Sequence, residues 1–182
     1  ENVTFHDGTA CDAEAVKWNF DDMLKQGPTS WVYAFFTAME RTEVIDKYTF
    51  KVIMKEPAAL LPMLAGYFHG VPIGSPTAVQ KYGENWGRHP VGTGPFTYDP
   101  ADYRPDELVV LKKNPTYFRK DAFGKPLPYM DRVEIRIVKD PIAAMTALRT
   151  GQVDILQRLN PQHVPVLERA KGVIVETAPS RM

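Results

Sequence analysis

The sequence predicts an α/β fold of the mixed α+β kind, and three observations predict it. Short runs of alternating apolar and polar residues recur between turn residues, as half-buried strands do. Apolar residues at helical spacing follow Asp, Ser-Pro or Asp-Pro, residue types that cap and open helices. The 16 prolines in 182 residues favour many short elements over a few long ones.

Val3-Thr4-Phe5 alternates and predicts a short strand. In the turn His6-Asp7-Gly8-Thr9 that follows, Gly8 is free to take positive φ. Asp12 is placed to cap a helix and Glu14 suits the positive end of its dipole. Val16, Phe20, Met23 and Leu24 then form one apolar stripe, and Gly27-Pro28 stops the helix. Glu43–Ile45 and Thr49–Met54 read as two strands joined by a tight Asp46-Lys47-Tyr48 turn, with Phe50 and Val52 on one face. Pro57 opens a helix through Leu60, Leu61 and Leu64, and Ser75-Pro76 opens another through Val79 and Tyr82.

Pro90-Val91-Gly92-Thr93-Gly94-Pro95 is the sharpest punctuation in the chain. It divides residues 1–90 from residues 91–182, where the rhythm changes. Leu108–Leu111 and Val133–Val138 read as strands around an Asn114-Pro115 turn. Asp140-Pro141 caps and starts a helix through Ala144, Met145 and Leu148 that Gly151 ends. Val153-Asp154-Ile155 reads as a strand, Pro161 as a helix start and Val173-Ile174-Val175 as a further strand. That alternation predicts crossovers and parallel pairing in the last third.

Composition excludes several functional classes. Hydrophobic residues make up 44% and charged residues 24%, ordinary for a folded domain and unlike a disordered chain. Net charge is zero; residues 1–90 hold 8 Lys+Arg against 11 Asp+Glu, and residues 91–182 hold 14 against 11. No basic cluster with interleaved aromatics stands out, so no nucleic acid partner is expected. One cysteine, Cys11, rules out an internal disulfide or a cysteine zinc site. No apolar run reaches the 18 residues that suggest a membrane helix. No stretch of these residues reads as a signal peptide, and an opening inside a strand reads as that of a fragment.

His6, His69, His89 and His163 lack metal-ligand spacing and read as turn or surface residues; no metal or cofactor is expected. Ser30, Ser75 and Ser180 lack a nucleophile elbow, and Ser75 stands where a helix cap would. Gly92-Thr93-Gly94-Pro95 lacks the Gly-Lys-Ser/Thr ending of a phosphate loop, and Pro95 lacks an N–H; it reads as a hairpin or hinge. Cys11 precedes a helix but has no second cysteine or adjacent base, and reads as an inert thiol. The aromatic group Trp31, Tyr33, Phe35 and Phe36 is the leading binding candidate. Phe35 and Phe36 are expected in the core. Trp31 and Tyr33 carry polar handles after a Pro-Thr-Ser turn, so either core filling or an edge over a cleft suits them.

The order of motifs resembles one family, the family 5 extracellular solute-binding proteins that serve ABC importers of peptides, nickel chelates and sugars. The resemblance begins with Val3-Thr4-Phe5-His6-Asp7-Gly8-Thr9 and Asp12-Ala13-Glu14-Ala15-Val16. It continues through Asp46-Lys47-Tyr48-Thr49-Phe50, Glu56-Pro57 and Pro90-Val91-Gly92-Thr93-Gly94-Pro95-Phe96. Asn114-Pro115-Thr116-Tyr117-Phe118, Leu127-Pro128-Tyr129-Met130-Asp131, Asp140, Ala147-Leu148 and Gly151-Gln152-Val153-Asp154-Ile155 complete it. Ala10-Cys11 departs from the family's usual Pro-Phe, and Ala15 stands where an acid is common.

The resemblance implies a periplasmic-binding-protein type II-like fold, here incomplete. Residues 1–90 would be the extra N-terminal subdomain and residues 91–182 part of the α/β lobe leading toward the hinge, with the second lobe missing. It implies a binding component and not an enzyme, one that captures peptides or similar small solutes outside the cytoplasmic membrane. The implied partners are that ligand and the permease subunits of an ABC importer. Contact with the membrane would come only through the permease or a lipid anchor outside these residues. The implied ligand-binding residues are Trp31, Tyr33, Gly92, Thr93 and Gly94. A sensor or partner-binding module on the same scaffold, or a hydrolase, are the other readings.

Overall fold

The computed structural model describes residues 1–29, 33–57 and 72–177. The helix expected through Leu60, Leu61 and Leu64, together with Trp31, Ser30, His69 and Ser180, lies outside the described residues.

Helix α1 spans Ala13–Gln26. Asp12 caps it, its carboxylate accepting from Ala15 N–H at 3.1 Å, and Gly27 ends it with φ +60°. Both ends follow the sequence expectation, because caps are local chemistry. Of the expected stripe, Met23 is buried and Val16, Phe20 and Leu24 are half-buried, and Ala13, Ala15 and Asn19 are buried beside it. A short helix, α2, covers Tyr33–Phe36. Strands β1 (Met39–Asp46) and β2 (Thr49–Met54) form an antiparallel hairpin in which Val44 faces Phe50 and Thr42 faces Val52.

Met23, Phe36 and Met39 form a buried cluster, with Phe20, Leu24, Val52 and Met54 packed against it. Phe36 is 2% exposed and meets Phe20 edge-on, ring centres 5.9 Å apart, the geometry that ring quadrupoles favour. Phe20 also leans on Phe50 at 4.9 Å. The expected core role of Phe36 and the shared face of Phe50 and Val52 therefore hold, and that face is the one turned to the core. The Val3–Phe5 strand does not form: Thr4 makes a lone bridge to Ala10, because the turn folds the segment back on itself before a ladder can extend.

Helix α3 (Pro76–Tyr82) is capped by Ser75. It leads into a 3₁₀ segment, Gly83–Arg88. Strands β3 (Phe96–Tyr98), β4 (Leu108–Lys113) and β5 (Arg132–Arg136) form a sheet in that order. β3 and β4 are antiparallel. Lys113 N–H donates to Asp131 O and Ile137 N–H to Glu107 O, so β4 and β5 also run in opposite directions. Helix α4 (Pro141–Arg149) starts on the Asp140 cap, whose carboxylate accepts from Ala143 N–H at 2.6 Å. Pro161–His163 is a 3₁₀ turn leading into α5 (Val164–Glu168).

Val153–Ile155 and Val173–Val175 are not strands, and no parallel pairing is present among the described residues. Their composition suits a strand, but a strand exists only where a neighbour takes its backbone hydrogen bonds. Neither segment has one among the described residues, and Ile155 and Ile174 are 76% and 87% exposed.

Two compact units result. One comprises Glu1–Tyr103 with Val109–Glu134, the other Arg104–Leu108 with Ile135–Met182. The Pro90–Pro95 punctuation lies inside the first unit. In the first, Phe5, Phe36 and Val110 are among the fully buried side chains; in the second, Leu167 is buried with Ala144 and Met145.

Candidate functional site

The first unit holds the described candidate residues, Tyr33, Gly92, Thr93 and Gly94. Tyr33 opens α2 and is half-buried. Gly92, Thr93 and Gly94 form a half-buried bend just before β3. Around this bend the sequence brings together residues far apart in the chain.

His6 anchors it twice. Its backbone N–H donates to Gly92 O at 2.9 Å, and its Nε2–H donates to Gly94 O at 3.0 Å. Asn114, 4% exposed, donates its side-chain amide to the same Gly94 carbonyl at 3.0 Å and its backbone N–H to Pro95 O at 2.9 Å. Asn114 Oδ1 in turn accepts from the Thr116 N–H and hydroxyl. The Asn-Pro-Thr turn thus closes on itself and holds the bend from one side.

The other side is a second polar cluster. Ser75 N–H donates to Val91 O at 2.9 Å. Its hydroxyl donates to Asp7 at 2.5 Å and accepts from Ala78 N–H at 3.2 Å. Asp7 also takes the Thr9 N–H at 3.0 Å and the Thr9 hydroxyl at 2.6 Å. Burial opposes ionisation of Asp7, but the hydrogen bonds from Ser75 and Thr9 outweigh it and hold its carboxyl below the usual carboxylate range. Ser75 is fully buried, so its pairing with Asp7 is a cap and tether and leaves no accessible nucleophile.

Asn19 fastens the next residue. Its amide donates to Gly74 O at 2.8 Å and to Ala15 O at 2.8 Å, while its carbonyl accepts from Gly74 N–H at 2.9 Å. The side chain meets Gly74 as a neighbouring strand would. A Cβ on Gly74 would come within 2.8 Å of Trp86 Cζ2, so this glycine is required by packing.

Sequence reading found the Ser75 cap and the histidine turn but missed the roles of Asn19, Asn114 and His6. Their partners lie 55, 20 and 88 residues away. The Asn-Pro turn and the His-Asp-Gly-Thr turn were signals that something is held, without saying what. Burial, with the charge of Asp12 adding, pushes the Cys11 thiol up, away from the reactive thiolate. Among the described residues no group of three His, Cys, Asp or Glu converges, and no helix is long and apolar enough to cross a membrane.

Among the described residues, two surface grooves lie away from the bend. One of about 340 Å³ runs beside α1 and is lined by Glu14, Lys17, Trp18, Asp21 and Thr77. The other, about 220 Å³, lies in the second unit beside α4 and is lined in part by Lys139, Leu156 and Arg158.

Known proteins resemble this chain in sequence and in fold. The glutathione-binding protein GsiB of Shigella flexneri is 32% identical over the whole chain, which covers 34% of it. The nickel ABC transporter structure from Bacillus halodurans superposes with a TM-score of 0.76 at 29% identity, over 97% of this chain and 33% of that one. The periplasmic binding protein DppA from Helicobacter pylori, solved with the peptide STSA, gives 0.72 at 25% identity over 92% and 35%. The chain therefore spans about a third of the length of the relatives it matches. The fold is that of part of a type II periplasmic binding protein. With a family model matching residues 1–182 in full, the chain belongs to the bacterial extracellular solute-binding proteins, family 5.

Proposed function

We propose that this chain is part of the substrate-binding component of an ABC importer, capturing peptides or similar small solutes outside the cytoplasmic membrane and delivering them to the permease. The observation that carries this reading is the uninterrupted family match, supported by relatives whose names describe glutathione binding and a bound peptide. Residues 1–90 form the extra N-terminal subdomain and residues 91–182 part of the α/β lobe. Ligand gripped from two lobes favours the closed form, since only that form contacts it on both sides. An extended peptide held through its main chain leaves side chains in tolerant pockets.

Trp31, Tyr33, Gly92, Thr93 and Gly94 are the ligand-facing residues in this reading. A role in binding, and none in catalysis, agrees with the buried state of Ser75 and the raised thiol of Cys11. Titration calorimetry on the complete gene product with glutathione, trialanine and a mixed tetrapeptide library tests it. Binding to at least one is expected, and silence from all three sinks the reading. Within the complete product, Trp31→Ala should weaken that binding by about tenfold, roughly 1.4 kcal/mol, while moving the melting temperature little. A large fall in melting temperature with unchanged affinity would return Trp31 to the core.

A further inference from the structure

The hydrogen-bond account of the Gly92–Gly94 bend specifies what kind of ligand atom it takes. This inference rests on the ligand-facing role proposed above. The carbonyls on either side of Thr93 are already engaged. Val91 O accepts from Ser75 N–H, Gly92 O from His6 N–H and Pro95 O from Asn114 N–H, each at 2.9 Å. Gly94 O accepts from both His6 Nε2 and Asn114 Nδ2 at 3.0 Å. The donors are not engaged. Among the described residues, the N–H groups of Gly92, Thr93 and Gly94 have no hydrogen-bond partner, and Thr93 contributes the bend's one carbonyl left over.

The glycines add an independent observation. Neither Gly92 nor Gly94 has the positive φ that would call for glycine. A Cβ would meet nothing nearer than Ile73 O at 3.9 Å from Gly92, or Phe96 O at 4.0 Å from Gly94. Gly74, the residue before Ser75, is the contrast, because there the Trp86 ring leaves no room. At Gly92 and Gly94 the fold itself tolerates a side chain, so what the glycines keep is bare backbone with space beside it. Three half-buried amides without an internal partner, on a bend whose carbonyls are mostly tied back, leave the bend richer in free donors than acceptors and so suited to oxygen.

We infer that the Gly92–Gly94 backbone is a donor-rich rim that receives acceptor oxygens of the ligand, a carboxylate or a main-chain carbonyl of a peptide-like solute. His6, Ser75 and Asn114 are its positioning residues: by occupying the carbonyls they leave the amides as the bend's main unpaired groups. An ammonium group finds only Thr93 O there and is disfavoured.

The test uses the complete gene product with the panel named above, trialanine being paired with its C-terminal amide. In the ¹⁵N-labelled protein, binding should move the amide protons of Gly92, Thr93 or Gly94 downfield, as new hydrogen bonds do. Gly92→Ala and Gly94→Ala should each raise the dissociation constant at least tenfold by crowding the approach. The melting temperature should hold or rise, since alanine at an unstrained φ restricts the unfolded chain. Loss of the amide shift with the C-terminal amide assigns a carboxylate, and retention assigns a main-chain carbonyl. Binding with unmoved amides and unchanged affinity in both variants overturns this inference while leaving the receptor reading intact. Absence of binding across the panel overturns both.

Discussion

The first compact unit and the second use their polar and apolar residues in opposite ways. In the first, side chains close on groups far away in sequence: Asn19 on the Gly74 backbone, His6 and Asn114 on the Gly94 carbonyl, and Ser75 on the Asp7 carboxylate. In the second, hydrogen bonding is mostly local, as in the Asp140 and Asn160 caps, while Ile142, Ile155 and Ile174 stand exposed. A loop that must hold a defined shape needs its backbone groups individually satisfied, and long-range side chains do this where no strand is available. The first unit therefore specifies a loop. The second offers strand-forming residues that have no partner strand among the described residues.

The sharpest way to break this comparison is at Asn19. Asn19→Leu keeps the volume but leaves the Gly74 N–H and C=O without partners, each costing about 1–3 kcal/mol when buried. A loss of about 3 kcal/mol in a urea titration is expected. A loss below 0.5 kcal/mol would mean the clamp is decorative and the two units differ less than described.

Asp7 gives a smaller, pH-dependent effect. Its carboxyl is held below the usual range in the folded state, so its contribution is fully present above the unfolded value, about 3.9, and is lost as pH falls through the folded one. Asp7→Asn should thus be less stable than the parent at neutral pH, with the gap shrinking below about pH 4. A gap that stays constant down to pH 2 would remove ionised Asp7 from the clasp.

The smallest effect is expected in the second unit. Ile174, 87% exposed, should tolerate serine within about 0.5 kcal/mol in the 182-residue chain. A loss near 2 kcal/mol would show that this side chain is buried in solution and that the second unit packs like the first.

Legibility followed the range of the interaction. Asp12, Ser75 and Asp140 were recognised as caps because each accepts from an N–H three residues on. The β1–β2 hairpin was readable because alternation and a tight turn are also local. Asn19 was not readable: inside an amphipathic helix it looks like one more polar position, and its partner is supplied by a segment 55 residues later. Val153–Ile155 and Val173–Val175 failed for the converse reason, since strand composition is local but strand existence is not. At the candidate site, the Gly-Thr-Gly run was visible as a sequence, whereas which of its carbonyls are engaged depends on His6 and Asn114.

By itself, then, the sequence determined the helix boundaries, the hairpin, the family and the segments worth suspecting, because propensity, capping and turn chemistry act over a few residues. Only the tertiary structure decided which carbonyls are tied back, which glycine is required by packing and which is bare, and which apolar segments become strands. Those outcomes depend on groups brought together by chain closure, where each buried donor or acceptor must find a partner that no local pattern names.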